Sequence, residues 1–285
     1  MCIKTINFII KLFLRPIAGC NLISKNVALH IPAVGKISLL LRTGQRLFME
    51  NEGRDEVANS IYWLGKKGYD SESIEIWVGL ARKSKVIFDI GAYTGLYSLL
   101  AALVNSKAKV FAFEPIDAHY NHLKRNIEIN NFDNIVPVKK IVSDKVGINK
   151  LKIPYGSLLQ GSASIIDKFD RKDIEEELLI DNITIDFFIK EKNIKVVDLV
   201  KIDVEAAEPI VLKGMCETIQ NYYPTFIIEV LPHKRVETFL QEFFQSYGYT
   251  GYWLTDKGQI KKEVVKGDTT YRFSNYLFSK DDLHY

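Results

Sequence analysis

Cysteine is scarce in this chain. Its only three copies, Cys2, Cys20 and Cys216, are odd in number and far apart in 285 residues. That spacing supports neither a disulfide framework nor a cysteine metal site, and a reducing cytoplasm is the expected compartment. Charge of one sign is lacking as well. The formal net charge is +3 with Lys and Arg dispersed, which gives no basis for a nucleic-acid partner. Nor is there an apolar run of the ~20 residues that a bilayer span needs. Internal repeats and low-complexity tracts are missing too. What remains is ordinary for a globular protein, at 47% hydrophobic and 26% charged residues.

The N-terminus is amphipathic. Ile6, Ile9, Ile10, Phe13, Leu14 and Ile17 share one helical face, with Lys4, Lys11 and Arg15 opposite. Ile17-Ala18-Gly19-Cys20 resembles a lipoprotein cleavage site, but Lys11, Arg15 and Pro16 interrupt the apolar region that a signal peptide requires. Secretion is therefore not expected. A helix over 3–17 has two readings, docked on the protein or lying on a membrane surface as a peripheral contact. Residues 1–50 are read as an N-terminal extension, and 51–285 as the main domain. Ile61, Trp63, Leu64, Ile74, Ile76, Trp77 and Leu80 anchor an expected helical stretch at its start.

From residue 85 short apolar runs alternate with helical periodicity. Val86-Ile87-Phe88, Val110-Phe111-Ala112-Phe113, Ile135 to about Val142, Val197 to Ile202 and Thr225 to Val230 read as buried strands. Leu96, Leu99, Leu100 and Leu103 mark a helix between the first two. Asp117 reads as the cap of the next helix, whose inward face is Tyr120, Leu123 and Ile127. This alternation predicts an α/β fold with a mostly parallel central sheet. Tyr249–Leu254 and Phe273–Phe278 suit an antiparallel pair at its edge. About 148–184 reads as an insertion: a strand at Ile148–Ile153, a turn at Tyr155–Ser164, then a charged helix over Lys168–Leu179.

The first strand runs into Asp89-Ile90-Gly91-Ala92-Tyr93-Thr94-Gly95. Glycines there let the backbone turn sharply at the carboxyl end of a strand, where open α/β sheets bind ligands. A dinucleotide fingerprint would read G-x-G-x-x-G. This turn reads D-x-G-x-x-x-G, with Asp89 where the first glycine would stand. A carboxylate there repels a pyrophosphate and suits a ligand with a cationic amino acid portion. Glu114, before Pro115, closes the second strand where acids accept ribose hydroxyls. A nucleotide-cofactor oxidoreductase is thereby the weaker reading.

These residues resemble the FkbM family of class I methyltransferases over about 85–279. The resemblance rests on Phe88-Asp89-Ile90-Gly91-Ala92 with Gly95 and Tyr97-Ser98, Phe113-Glu114-Pro115, Val142-Ser143-Asp144 and Thr184-Ile185-Asp186. It continues through Lys201-Ile202-Asp203-Val204-Glu205-Ala206-Ala207-Glu208, Ile227-Ile228-Glu229-Val230 and Asn275-Tyr276-Leu277-Phe278. It implies a Rossmann-like class I methyltransferase fold and methyl transfer from S-adenosylmethionine, usually to a hydroxyl of a sugar, glycan or small-molecule product. It further implies that Asp89, Gly91, Ala92, Tyr93, Gly95, Glu114 and Pro115 surround the cofactor. Ser143 and Asp144 would then lie near adenine, and Asp203 near the methionine end or the reacting centre. The family usually has Asn at Tyr93 and Gly at Ala206. Alanine is tolerated at the latter unless the position needs a positive φ, which a residue with a β-carbon adopts reluctantly.

Methyl transfer to oxygen needs an aligned acceptor and a base. Asp203 and Glu205 end the fourth strand, Glu229 ends the fifth, and His233 follows. These four are the candidate catalytic residues. Each also has a plainer reading: Asp203 as a cofactor ligand, Glu205 and Glu208 as helix-terminal acids, His233 as an exposed loop residue. A divalent metal is compatible with grouped carboxylates, but no spacing demands one. A third function class, a non-catalytic cofactor-binding module on a membrane surface, would rest on residues 1–17. The sequence carries no signal of oligomeric state.

Overall fold

A computed structural model describes residues 31–53, 55–65, 68–154 and 174–281. The expected helix at 3–17 and most of the predicted turn and charged segment after Pro154 lie outside them. Among the described residues no helix is long and apolar enough to cross a membrane.

Five strands form the parallel centre: β3 (Val86–Ile90), β4 (Lys109–Phe113), β5 (Ile135–Val138), β9 (Leu199–Ile202) and β10 (Thr225–Glu229). They are apolar on both faces because helices cover both; Ile87, Phe88, Val200 and Ile202 are all buried. β13 (Asn275–Ser279) joins β10 antiparallel, and β11 (Thr250–Thr255) and β12 (Gly258–Lys262) extend that edge. The expected antiparallel edge pair is thus present, with β12 as an extra strand. The order is β12-β11-β13-β10-β9-β3-β4-β5. Without β12, the strands numbered along the chain stand as 3-2-1-4-5-7-6, and the seventh is reversed.

α3 (Leu96–Val104) and α4 (Asp117–Ile129) pack on one face of the sheet. α5 (Ile185–Lys192), α6 (Glu208–Lys213), α7 (Cys216–Tyr222) and α8 (Lys234–Ser246) pack on the other. Asp117 is the first residue of α4 rather than its cap; Ile116 takes the cap position without a side-chain bond. The inward face of α4 is wider than expected, since His119, His122 and Asn126 are buried beside Leu123 and Ile127.

Ahead of the sheet, β1 (Val34–Leu40) pairs with β2 (Arg46–Glu52) as a hairpin, followed by α1 (Glu56–Leu64) and α2 (Ser71–Ala81). This layer is fastened to α4: Asn126 Oδ1 accepts the Glu50 N–H at 2.8 Å, and Asn130 Oδ1 accepts the Phe48 N–H at 2.9 Å. Trp77 of α2 donates its indole N–H to the Tyr97 carbonyl of α3 at 2.8 Å. The N-terminal layer therefore shares a core with the main domain.

The segment read as one strand from Ile135 to Val142 divides. β5 stays in the main sheet, while β6 (Ile141–Val142) pairs with β8 (Ile174–Ile183) in a small sheet with β7 (Gly147–Pro154). The charged helix expected over Lys168–Leu179 is corrected where it is described: residues from Ile174 onward are strand. Charges scattered through Glu175-Glu176-Glu177 mimic a helical surface. Antiparallel pairing with β7 over 147–154 decides otherwise, because a paired ladder satisfies every backbone group that a lone short helix would leave at its ends.

Candidate active site

The cleft opens at the carboxyl ends of β3, β4, β9 and β10, and encloses about 1290 Å³ with its mouth included. One side is the turn after β3. Gly91 has φ +82°, and a β-carbon there would sit 1.9 Å from the Asp203 carbonyl oxygen. Only glycine lets the turns after β3 and β9 meet. Gly95, at φ +99°, would drive a β-carbon to 2.4 Å from Leu123 Cδ1; it shapes the turn without lining the cleft. Asp89 is buried, and its Oδ2 accepts both the Ser98 N–H at 2.9 Å and the Ser98 hydroxyl at 2.6 Å. Burial pushes its pKa up to about 6 against those hydrogen bonds.

Glu114 faces the same turn and is held rigidly. Its Oε2 accepts the Tyr93 N–H and its Oε1 the Ile116 N–H, both at 2.9 Å. His119 packs beside it, with Nδ1 3.4 Å from Glu114 Oε1 and its ring against Tyr93. His119 Nε2 is buried without a hydrogen-bond partner, on a residue that lines the cleft. An unsatisfied buried nitrogen costs free energy unless a ligand meets it.

The floor is a cluster of acids around one lysine. Lys201 is fully buried and its Nζ lies 3.1 Å from Asp203 Oδ2. Burial alone would lower its pKa; the carboxylates of Asp203, Asp70 and Glu229 outweigh that and hold it above the ordinary lysine value. Asp70 precedes α2 in a left-handed conformation, φ 47°. It accepts the Tyr97 hydroxyl at 2.9 Å and the Asn275 amide at 3.0 Å, and burial raises its pKa. Glu229 is raised well above the usual carboxylate range, first by burial and then by the neighbouring Asp203 charge. Glu229 therefore holds its proton more tightly than an ordinary carboxyl.

Of the residues singled out from sequence, Asp89, Gly91, Ala92, Tyr93, Glu114, Pro115, Asp203, Glu205 and Glu229 line this one cleft. Ser143 and Asp144 do not. The lining includes Ile141 and Val142, while Ser143 donates its hydroxyl to Asp144 Oδ1 at 3.2 Å and its carbonyl packs against Gly214. His233 is exposed at the start of α8, outside the cleft. Glu208 braces the loop, accepting the Ala206 N–H at 3.1 Å. Asp186 is structural as well, tying α5 to the Glu217 and Thr218 amides of α7.

Tyr69, Asp70, His119 and the part played by Lys201 escape a sequence reading. Lys201 does leave a trace, as the one charge inside the apolar run Leu199–Ile202. Ala206 has φ +68° and Glu205 φ +52°. The position does need a positive φ: the loop after β9 turns left-handed where it brings Glu205 to the cleft, and Ala206 bears that strain. Tyr93 is also left-handed, at φ +51°.

The residues fit S-adenosylmethionine. Asp70, Asp203 and Glu205 outnumber one lysine near the floor even with Glu229 left out, a balance that favours a cationic ligand over a pyrophosphate. Glu114 is preset as a hydrogen-bond acceptor for ribose, His119 Nε2 is unsatisfied beside it, and Ile116, Ile141, Val142 and Leu151 offer an apolar wall for a purine. No described group of three or more His, Cys, Asp or Glu is placed to hold a metal ion.

The strand order, the reversed seventh strand and the acid closing β4 define a class I methyltransferase domain. Residues 89–250 match the methyltransferase FkbM domain family, to which this chain belongs. It is 26% identical over 192 residues to Methyltransferase sdnD of Sordaria araneosa, covering 57% of this chain and 73% of that protein. It is 27% identical over 158 residues to 31-O-demethyl-FK506 methyltransferase FkbM of Streptomyces tacrolimicus, covering 47% and 60%. A solved structure of Methyltransferase FkbM from Methylobacillus flagellatus KT aligns with a TM-score of 0.45 at 19% identity, over 69% of this chain and 43% of that one.

Proposed function

We propose that this chain transfers a methyl group from S-adenosylmethionine to a hydroxyl oxygen, on a sugar, glycan or other small-molecule acceptor. The observation that carries this reading is the floor of the cleft, where Lys201, Asp203 and Glu229 stand opposite the fixed Glu114. The name of the Streptomyces relative, a 31-O-demethyl-FK506 methyltransferase, supports oxygen as the acceptor atom.

S-adenosylmethionine, when bound, supplies an electrophilic methyl on a sulfonium. The chain's residues do the rest. Glu114 accepts ribose hydroxyls while the Tyr93 and Ile116 amides fix its carboxylate. Asp203, whose side chain is 21% exposed to the cleft, takes the acceptor's proton. Lys201 holds Asp203 in place and stabilises its negative charge before the transfer. Glu229, whose burial beside Asp203 favours its protonated form, gives Asp203 a hydrogen bond in place of a second repelling charge. Tyr69 and Tyr97 close the wall and keep water away from the reacting oxygen.

Two titrations test this. S-adenosylhomocysteine should bind with micromolar affinity and NAD should not. A radiolabelled-methyl screen over hydroxyl-bearing acceptors, including glycans and their nucleotide- or lipid-linked precursors, should give base-stable product. Absence of S-adenosylhomocysteine binding would overturn the reading.

A further inference from the structure

A second cavity lies between the β1–β2 hairpin and the helices α1 and α2, enclosing about 850 Å³ with its mouth included. Its interior is aliphatic, lined by Leu39, Leu41, Ile61, Ile74 and Val78. At the rim Arg42 pairs with Glu75 at 2.9 Å, both largely exposed. Ligand sites have this composition: an apolar interior with a few polar groups at the entrance.

Tyr69 connects the cavity to the chemistry, because it lines both this space and the cleft. Its hydroxyl feels the carboxylates of Asp70, Asp203, Glu229 and Glu205. One residue therefore separates the proposed proton acceptor from an aliphatic chamber. A molecule reaching past Tyr69 would place a polar end among the acids and an apolar end among Leu39, Ile61 and Ile74.

We propose that this second cavity receives the aliphatic arm of the methyl acceptor, which makes the substrate a hydroxyl-bearing amphiphile rather than a wholly polar sugar. The proposal rests on the methyl-transfer reading above. It also gives the N-terminal layer a purpose, since its hairpin and helices build a chamber that the sheet domain lacks.

Gly79 of α2 supplies the test. It lines the chamber, a β-carbon added there meets nothing within 4 Å, and its φ lies outside the left-handed region. A larger side chain at this helical position fills the chamber without backbone strain. Butanol, hexanol and octanol are titrated calorimetrically into the full chain saturated with S-adenosylhomocysteine. One-site binding that tightens about threefold to fourfold per added methylene is expected. Gly79→Trp should weaken octanol at least tenfold while leaving S-adenosylhomocysteine affinity within twofold. Gly79→Leu, smaller and helix-favouring, should do the same and stands in if the tryptophan variant fails to fold. Affinity independent of chain length, or octanol binding unchanged in a folded Gly79 variant, overturns the proposal. A wild-type chain that takes octanol but not S-adenosylhomocysteine removes the methyl-transfer reading instead, and with it the acceptor role of the chamber.

Discussion

Ala206 holds a left-handed backbone with a β-carbon, at φ +68°, a conformation that costs an L-residue roughly 1–2 kcal/mol relative to glycine. Glycine would lose more entropy on folding, which returns part of that gain. Ala206→Gly should therefore stabilise the chain by ~0.5–1 kcal/mol, read as a higher urea midpoint at unchanged slope. Glu114 responds in the opposite direction. Both its oxygens accept backbone N–H groups, so Glu114→Gln must turn an NH₂ toward a donor. S-adenosylhomocysteine affinity should drop about tenfold to a hundredfold by calorimetry, the range expected when a charged buried acceptor is lost. Asp203 and Glu229 can be separated by isosteric amides. Asp203→Asn removes the proposed proton acceptor, and kcat should fall about 10²–10⁴-fold. Glu229→Gln keeps the hydrogen-bonding shape of a carboxyl whose burial favours its neutral form, so kcat should change less than tenfold. Equal losses in both variants would mean that Asp203 is not the sole proton acceptor.

At the scale of elements, two turns that meet backbone to backbone hold the cleft open. Gly91→Ala would put its β-carbon 1.9 Å from the Asp203 carbonyl, forcing the turns after β3 and β9 apart. That change should destabilise the chain by ~3 kcal/mol or more and abolish S-adenosylhomocysteine binding, checked by thermal unfolding with and without ligand. The turn itself was readable in the sequence because Asp89, Gly91 and Gly95 act at fixed local spacing, and Glu114 ends a strand whose apolar run is unmistakable. The acid floor was readable only in part. Asp203, Glu205 and Glu229 end predicted strands, but Asp70 comes from the N-terminal layer and meets Asn275 across 205 residues of chain. No local period reports such a meeting. β8 was misread for a related reason, since its charges resemble a helical surface until β7 is there to pair with it. Ser143 and Asp144 follow strand residues that do reach the cleft, yet the loop from β6 to β7 begins there and carries both away from it.

For the molecule as a whole, burying acids at the cleft makes folding oppose their ionisation. Asp89 is pushed up to about 6, Asp55 and Asp70 are raised by burial, and Glu229 is raised well above the usual range by burial and the Asp203 charge. Each binds its proton more tightly folded than unfolded, so between the unfolded carboxylate range near pH 4 and the raised folded values the native state holds more protons. Stability must then fall as pH rises through that window. Lys201 runs the same way at high pH, because its raised pKa contributes stability below about 10 that is lost as it deprotonates. The ligand-free chain should accordingly melt higher at pH 6 than at pH 8, by about 2–4 °C for each kcal/mol lost in a domain of this size. A cation bound among these carboxylates favours their ionised forms. Saturating S-adenosylmethionine should therefore raise the melting temperature more at pH 8 than at pH 6, while a neutral alcohol bound in the second chamber should raise it equally at both. Differential scanning calorimetry at the two pH values, with and without each ligand, checks this, and a larger cofactor-induced rise at pH 6 would mean that the acids at the floor do not face the sulfonium.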